Sequence, residues 1–513
     1  MQTVTGDADS TGSTGSADPG TSAGSSGEMP VNLPPKIEVF EVTPTHLGEA
    51  GPAELNLIVS EDVVRVRLSL DGKMLDDDLK PGDFPYKWDA LSAKDNGDKR
   101  TFEVVVEDAE GLTAMKKVEL SVLLPAPGVE KCLFEDLNMG AVTSVISALK
   151  YTDDAIIAVG SRDTGAGLRV AAWKLDRDNC DKVLPGWPKT IANWTPDLAK
   201  MTSLGAAVDV DADGNIVVAG NIIVGGKPQS YVALLNQAGS KLWEKVGQVG
   251  DMVAGVAAAT AQFKNRVFVV GSQRTSDIPV RTDAAIWTYM AVDGVVSKSS
   301  WLTLKAPFTP EEFEPDDENK RSERARAVVI QPSTGNALVV GERQFSPDGV
   351  LDFSRAFTVR VHPLGDVLGV PWTSGAPAFV HDAVHSIGLC GEHLVAGGWT
   401  RDEPPDAQPQ PLMFWLETDE HRHLPQLAST QINGIGCDRE GKIVSAATRS
   451  SGSPDAQVFT VMGPFDPPTW YEAGVAGADG AGAMACDWRG FCGWGGYRTT
   501  NQKPYAVVRV HHP

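Results

Sequence analysis

Apolar residues along this chain come in short runs, each broken by a turn and then resumed in alternation. From about residue 144 to the C-terminus one unit returns seven times: a short apolar run, a turn, an apolar run ending in Gly, a loop, and a second alternating stretch. The Gly-ended runs are AIIAVGS (Ala155–Ser161), NIVVAGN (Asn215–Asn221), VFVVGS (Val267–Ser272), NALVVGE (Asn336–Glu342), HLVAGG (His393–Gly398), KIVSAAT (Lys442–Thr448) and GFCGWGG (Gly490–Gly496). A period of roughly 50–60 residues with about four strands per unit predicts propeller blades rather than a helical solenoid. The last unit stops after its third strand. EKCLFEDL (Glu130–Leu137), an apolar segment ahead of the first unit, is expected to supply the missing fourth strand and so close the array. Closure removes edges that would otherwise template aggregation.

Between Pro34 and Val122 the pattern is a different one. IEVFEV (Ile37–Val42), ELNLIV (Glu54–Val59) and VRVRLSL (Val64–Leu70) place apolar residues at every second position, the period of a half-buried strand. Asp71-Gly72 reads as a hairpin turn. PYKW, TFEVVVED and AMKKVELSV follow, with turns every 8–12 residues, and together predict a β-sandwich with Trp88 in its core. Residues 1–33 are Gly, Ser, Thr, Asp and Ala with almost nothing large, which predicts a flexible spacer. The expected division is therefore 1–33 spacer, 34–124 sandwich and 129–513 propeller, joined by Pro125-Ala126-Pro127-Gly128.

Composition then limits the partners. A net charge of −22 with no basic stripe argues against nucleic acid and against an anionic membrane surface. No apolar run is long enough to span a bilayer, and the N-terminus as given carries no charged-then-apolar export leader. A monomer is expected.

The candidate chemistry is sparse. Asp209, Asp211 and Asp213 match the DxDxDG start of a calcium loop, although no Glu closes the shell further on. In the propeller register Asp213-Gly214 is the turn between two strands and Asp209 lies on a strand. Calcium at this triad is the one cofactor the residues admit. His381 and His385 are four apart on a strand-like stretch, whereas His421, His423, His511 and His512 are expected to be solvated. The acidic run Glu311–Glu318 ahead of Lys320, Arg321, Arg324 and Arg326 reads as a self-neutralising loop. Trp187, Trp243, Trp301, Trp372 and Trp470 are expected on outer strands over the junctions between blades. No nucleophile elbow, phosphate loop or dinucleotide fingerprint stands in a suitable setting.

Six cysteines allow fifteen pairings. Cys486 could bridge Cys492 across one hairpin, Cys132 could reach Cys180, and Cys390 with Cys437 would join neighbouring blades. Free buried thiols are the competing state. Bridging would imply an oxidising compartment.

Three resemblances add to this. DGKML, PYKW and VEDAEGLTAMKKVELSV resemble bacterial Ig-like domains, which act as stalks or adhesive modules. DADGNIVVAGNIIVGGKPQSYVALLNQAGSKLW (Asp211–Trp243) resembles the delta-60 and SBBP repeats of bacterial seven-bladed propellers, from which blade six departs with Ala447 and blade seven with Cys492 and Trp494. Spacer, Ig-like domain and propeller in series resemble bacterial surface lipoproteins of the myxobacterial type, although the lipidated cysteine of that pattern is not found at Met1-Gln2-Thr3. The expectation is an all-β protein, an N-terminal Ig-like β-sandwich plus a seven-bladed β-propeller closed by an N-terminal strand. Its expected role is that of a non-catalytic binding or scaffold protein for a protein or glycan ligand, secreted or anchored at the outer membrane. The alternative is a propeller enzyme, a hydrolase or lyase on glycans, with its site at the channel mouth. A convergent cluster of carboxylate, His or Arg there would favour the enzyme.

Overall fold

The computed structural model describes residues 33–90, 93–139, 141–163, 165, 167–191, 202–224, 227–258, 266–277, 280–301, 321–345, 353–373, 381–390, 393–401, 408–416, 420–423, 430–438, 441–449, 455–461, 469–473 and 479–512. The spacer and the acidic run before Lys320 lie outside them. The chain groups into two compact units. One takes in residues up to Thr43 with Glu54–Tyr86 and Arg100–Glu119; the other takes in Pro44–Ala53, Lys87–Lys99 and Leu120–Pro513.

Eight strands come first: β1 (Ile37–Thr43), β2 (His46–Leu47), β3 (Gly51–Val59), β4 (Val63–Leu70), β5 (Lys73–Leu79), β6 (Tyr86–Ala90), β7 (Gly97–Asp108) and β8 (Thr113–Val122). They form a sheet β1-β3-β6 and a sheet β2-β8-β7-β4-β5. Asp71 and Gly72 both have positive φ, 50° and 79°, and turn β4 into β5 as the hairpin signal predicts. The Asp-rich strand β5 escapes the apolar pattern. Trp88 is only half-buried, so the core rests on Leu55, Leu68, Phe102 and Leu120 instead.

The strand β9 (Glu130–Glu135) precedes seven four-stranded antiparallel sheets. The first is β10 (Thr143–Tyr151), β11 (Ala155–Asp163), β12 (Arg169–Asp176) and β13 (Lys189–Thr190). The second is β14 (Thr202–Val210), β15 (Ile216–Val224), β16 (Lys227–Leu235) and β17 (Lys241–Val249). The third holds β18 (Asp251–Ala258), β19 (Arg266–Asp277), β20 (Val280–Met290) and β21 (Val296–Trp301). The fourth holds β22 (Arg321–Ile330), β23 (Ala337–Phe345), β24 (Phe353–Val361) and β25 (Val367–Thr373). Next come β26 (His381–Cys390), β27 (His393–Arg401), β28 (Gln410–Trp415) and β29 (Glu420–His423). The sixth is β30 (Thr430–Cys437), β31 (Ile443–Arg449), β32 (Asp455–Val461) and β33 (Thr469–Ala473). The seventh is β34 (Asp479–Cys486), β35 (Cys492–Thr500), β36 (Lys503–His511) and, as its fourth strand, β9. Val508 pairs with Phe134 and Val510 with Cys132, so the segment at Leu133 completes the last sheet as its apolar pattern predicts.

Each sheet has apolar side chains on both faces because successive sheets share their cores. One buried cluster joins Ile157 and Ala172 to Val218 and Ala233, and another joins Val217 and Val232 to Val269 and Trp287. The second strand of a unit therefore reads as a continuous apolar run, with Ala155–Gly160 all buried. Between the seventh sheet and the first, Ala506 donates its amide to Ser144 Oγ at 2.9 Å. Arg177 and Arg489 both close on the buried Asp487 carboxylate, at 2.9 and 3.1 Å.

The glycine that ends the apolar run in six of the seven sheets, Ala447 standing there in the sixth, has a specific cause. The innermost strand of every sheet shifts register once: at Ser147, Ala206, Ala254, Arg326, His385, Asn433 and Gly482 an extra residue is inserted, a β-bulge. The run-ending Gly sits opposite the residue before that bulge, as Gly160 does to Ile146 and Gly398 to Val384. There the bulged strand leans in. A Cβ on Gly160 would stand 1.9 Å from the Val145 carbonyl oxygen, and one on Gly398 1.8 Å from that of Ala383. Gly271, Gly341 and Gly496 meet the same obstacle at 1.8–2.1 Å.

Candidate functional site

The seven bulges do more than shape the sheets. Each lifts one residue out of the strand's alternation and leaves it half-buried, while the residue before it stays in the core where its burial is described. Six of the seven, all but Ala206, line a single cavity of about 470 Å³ together with Gln431, Thr448 and Tyr497. Three polar residues stand on the first strands of three successive sheets: Arg326 on β22, His385 on β26 and Asn433 on β30.

These three are held by defined partners. The guanidinium of Arg326 donates through Nη2 to Oε1 of Glu342, a buried carboxylate on β23 that Arg324 also approaches at 3.8 Å. Asn433 commits both amide hydrogens, to Thr448 Oγ1 at 3.0 Å and to the Ala481 carbonyl at 2.7 Å. Its side-chain oxygen is then the atom left to accept from the His385 ring. Burial first, then the charge of Arg326, pushes the pKa of His385 down to about 4, against the weaker opposing pull of Glu342 and the bond to Asn433. The imidazole is therefore neutral at pH 7, with a lone pair on one of its two ring nitrogens.

The residues singled out from the sequence mostly lie elsewhere. Asp209 ends β14, where it pairs with Lys150 at 2.6 Å and accepts the Ala258 amide at 2.8 Å. Asp211 Oδ1 accepts the amides of Asp213 and Asn215, at 2.9 and 2.8 Å, around Gly214 with φ 78°. The same turn recurs at Asp108, Asp438 and Asp487, each with Gly three residues on. Asp213 is exposed and, with Asp211, borders a second cavity of about 500 Å³. Among the described residues no three His, Cys, Asp or Glu side chains gather as a metal-binding group.

His381 is buried, and the bulge at His385 interrupts the alternation that would have paired the two. His511 and His512 are buried rather than solvated, because the backbone at Gly128 and Val129 pairs with this terminal stretch; His511 Nδ1 lies 3.0 Å from the Gly128 carbonyl. Burial lowers the pKa of both. Trp243 covers a junction as expected, donating to the Ala291 carbonyl at 2.8 Å, whereas Trp187 does so from the loop before β13. The side chains of Trp301, Trp372, Trp470, His421 and His423 lie outside the described residues. The six cysteines form three disulfides, Cys132–Cys180, Cys390–Cys437 and Cys486–Cys492, with Cα separations of 5.6, 5.1 and 4.1 Å.

Sequence reasoning missed Arg326, Asn433 and the cavity. One signal could have found them: pairing each run-ending Gly back across its turn leads to the bulge.

No known protein family matches the chain, and no curated protein does. Solved structures do. A protein of unknown function from Dyadobacter fermentans is 11% identical over 75% of this chain and 98% of its own, with a TM-score of 0.44. A prolyl endopeptidase is 12% identical, TM-score 0.42, over 72% of this chain but 47% of the enzyme. The extracellular domain of the one-component system BT4673 from B. thetaiotaomicron is 9% identical, TM-score 0.37, over 72% of this chain and 38% of its own. The chain is an all-β protein of many small antiparallel sheets, propeller-like in fold.

Proposed function

We propose that this protein is a non-catalytic binding protein working outside the cytoplasm, and that the bulge-lined cavity is its binding site. In this reading the seven sheets are blades of a closed propeller, β9 is the clasp, and the N-terminal sheets are an Ig-like stalk that holds the head away from a surface anchor. The observation that carries it is the convergence of bulged residues from six sheets on one cavity. A bulge re-aims a side chain without disturbing the sheet around it, so this wall is set by the fold before any ligand arrives.

A convergent cluster of carboxylate, His or Arg at the channel mouth was the feature expected to favour an enzyme. Here its members are engaged with one another: Arg326 with Glu342, His385 with Asn433, Asn433 with Thr448. Glycan hydrolysis works instead through two carboxylates facing the scissile bond. Three disulfides support a location in an oxidising compartment. The test is a screen of glycans and of cell-surface proteins against the purified chain and its Ala254→Leu variant, which fills the cavity. A ligand retained by the wild type and lost by the variant is the expected result; ligands held equally by both defeat the proposal.

A further inference from the structure

The cavity has two unlike walls. Arg326, His385 and Asn433 form one, while the other bulges that line it carry Ser147, Ala254 and Gly482, with little or no side chain. The bare wall leaves the volume open, about 470 Å³, within the range of about 300–1,000 Å³ usual for small-molecule sites.

The polar wall is selective in its chemistry. Arg326 is already ion-paired with the buried Glu342 carboxylate, which offsets part of its charge. Beside it the neutral imidazole of His385 carries a lone pair on one ring nitrogen. A carboxylate or phosphate would face that lone pair with electron density of its own, and an ammonium group would meet the Arg326 guanidinium. A hydroxyl fits both neighbours, donating to the ring nitrogen while accepting from the guanidinium. Ser147 and Tyr497 add hydroxyls that can act either way, and Gln431 adds an amide.

Resting on the reading that this cavity is the binding site, the geometry points to a neutral polyhydroxylated ligand, the terminal sugar of a glycan, seated with adjacent hydroxyls between His385 and Arg326. The small wall opposite then accommodates the body of the ring, and Tyr497, which packs against Gly480, flanks it.

The test uses the full chain on an array of immobilised neutral and acidic oligosaccharides, followed by calorimetry with the best-bound methyl glycoside. Neutral sugars are expected to bind. His385→Leu should weaken binding about tenfold, the loss of one buried hydrogen bond, and Ala254→Leu should abolish it. Both variants are checked for an unchanged thermal midpoint, with Ser147→Leu replacing any that unfolds. Binding of acidic sugars alone, binding of no sugar, or sugar binding indifferent to these variants overturns the inference. A peptide or protein ligand lost with Ala254→Leu in the absence of sugar binding would overturn the sugar alone and leave the cavity as the site. Indifference of every ligand to Ala254→Leu removes both.

Discussion

At the scale of single residues, His385 is the most informative side chain in the molecule. Its pKa in the folded state, about 4, is well below the ordinary value of 6.5. Below pH 6.5 the unfolded chain takes up a proton there and the folded chain does not, so the native state loses stability as pH falls from 6.5 towards 4. His511 and His512, also depressed by burial, act in the same direction. Urea midpoints at pH 7 and pH 5 should therefore differ less in His385→Gln than in the wild type; an identical loss in both would show that His385 titrates normally. Asp211 makes the opposite case. The sequence offered it as a calcium ligand, but its carboxylate accepts two turn amides, as Asp108 and Asp487 do at their own turns. Chelator should leave the thermal midpoint unchanged, and a fall of several degrees would restore the metal.

At the scale of the element, most of the fold was readable because its causes are local. The run-ending glycines recur where a bulged neighbour leaves no room for a Cβ, and Asp-x-x-Gly turns recur because one carboxylate serves two amides. β5 was not readable, since KMLDDDL has no alternation; its place is set by the Asp71-Gly72 turn and by pairing with β4. The cavity was not readable either. A bulge breaks the period of two at one residue per strand, so Arg326, His385 and Asn433 share no spacing a linear pattern would reveal. Gly398→Ala tests the cause proposed for the motif. With the Ala383 carbonyl in the way, the methyl group must push β26 and β27 apart, at a cost of about 1–3 kcal/mol. A midpoint equal to wild type would mean the strands yield freely.

At the scale of the whole molecule, the first part of the array and the last are tied by a few named groups. β9 pairs with β36, Cys132 on β9 is bonded to Cys180 after β12, and the buried Asp136 that follows β9 holds Arg162 at 2.9 Å. Cys132 and Cys180 are 48 residues apart, so opening that bridge frees a loop whose closure is worth about 4 kcal/mol by chain entropy. Cys132→Ser with Cys180→Ser should lower the denaturation midpoint and expose the β36 edge, seen as concentration-dependent association in sedimentation. A monomer of unchanged midpoint would show that the bridge constrains nothing.

The bulges have one more consequence. Because six sheets each contribute one re-aimed residue to a single cavity, its lining can be altered one strand at a time. Proteins built on this scaffold can exchange one chemical preference for another by rewriting a handful of codons, leaving every strand in place. Superposing their backbones and reading residues 147, 254, 326, 385, 433 and 482 should sort such relatives by the chemistry of this cavity more faithfully than overall similarity does.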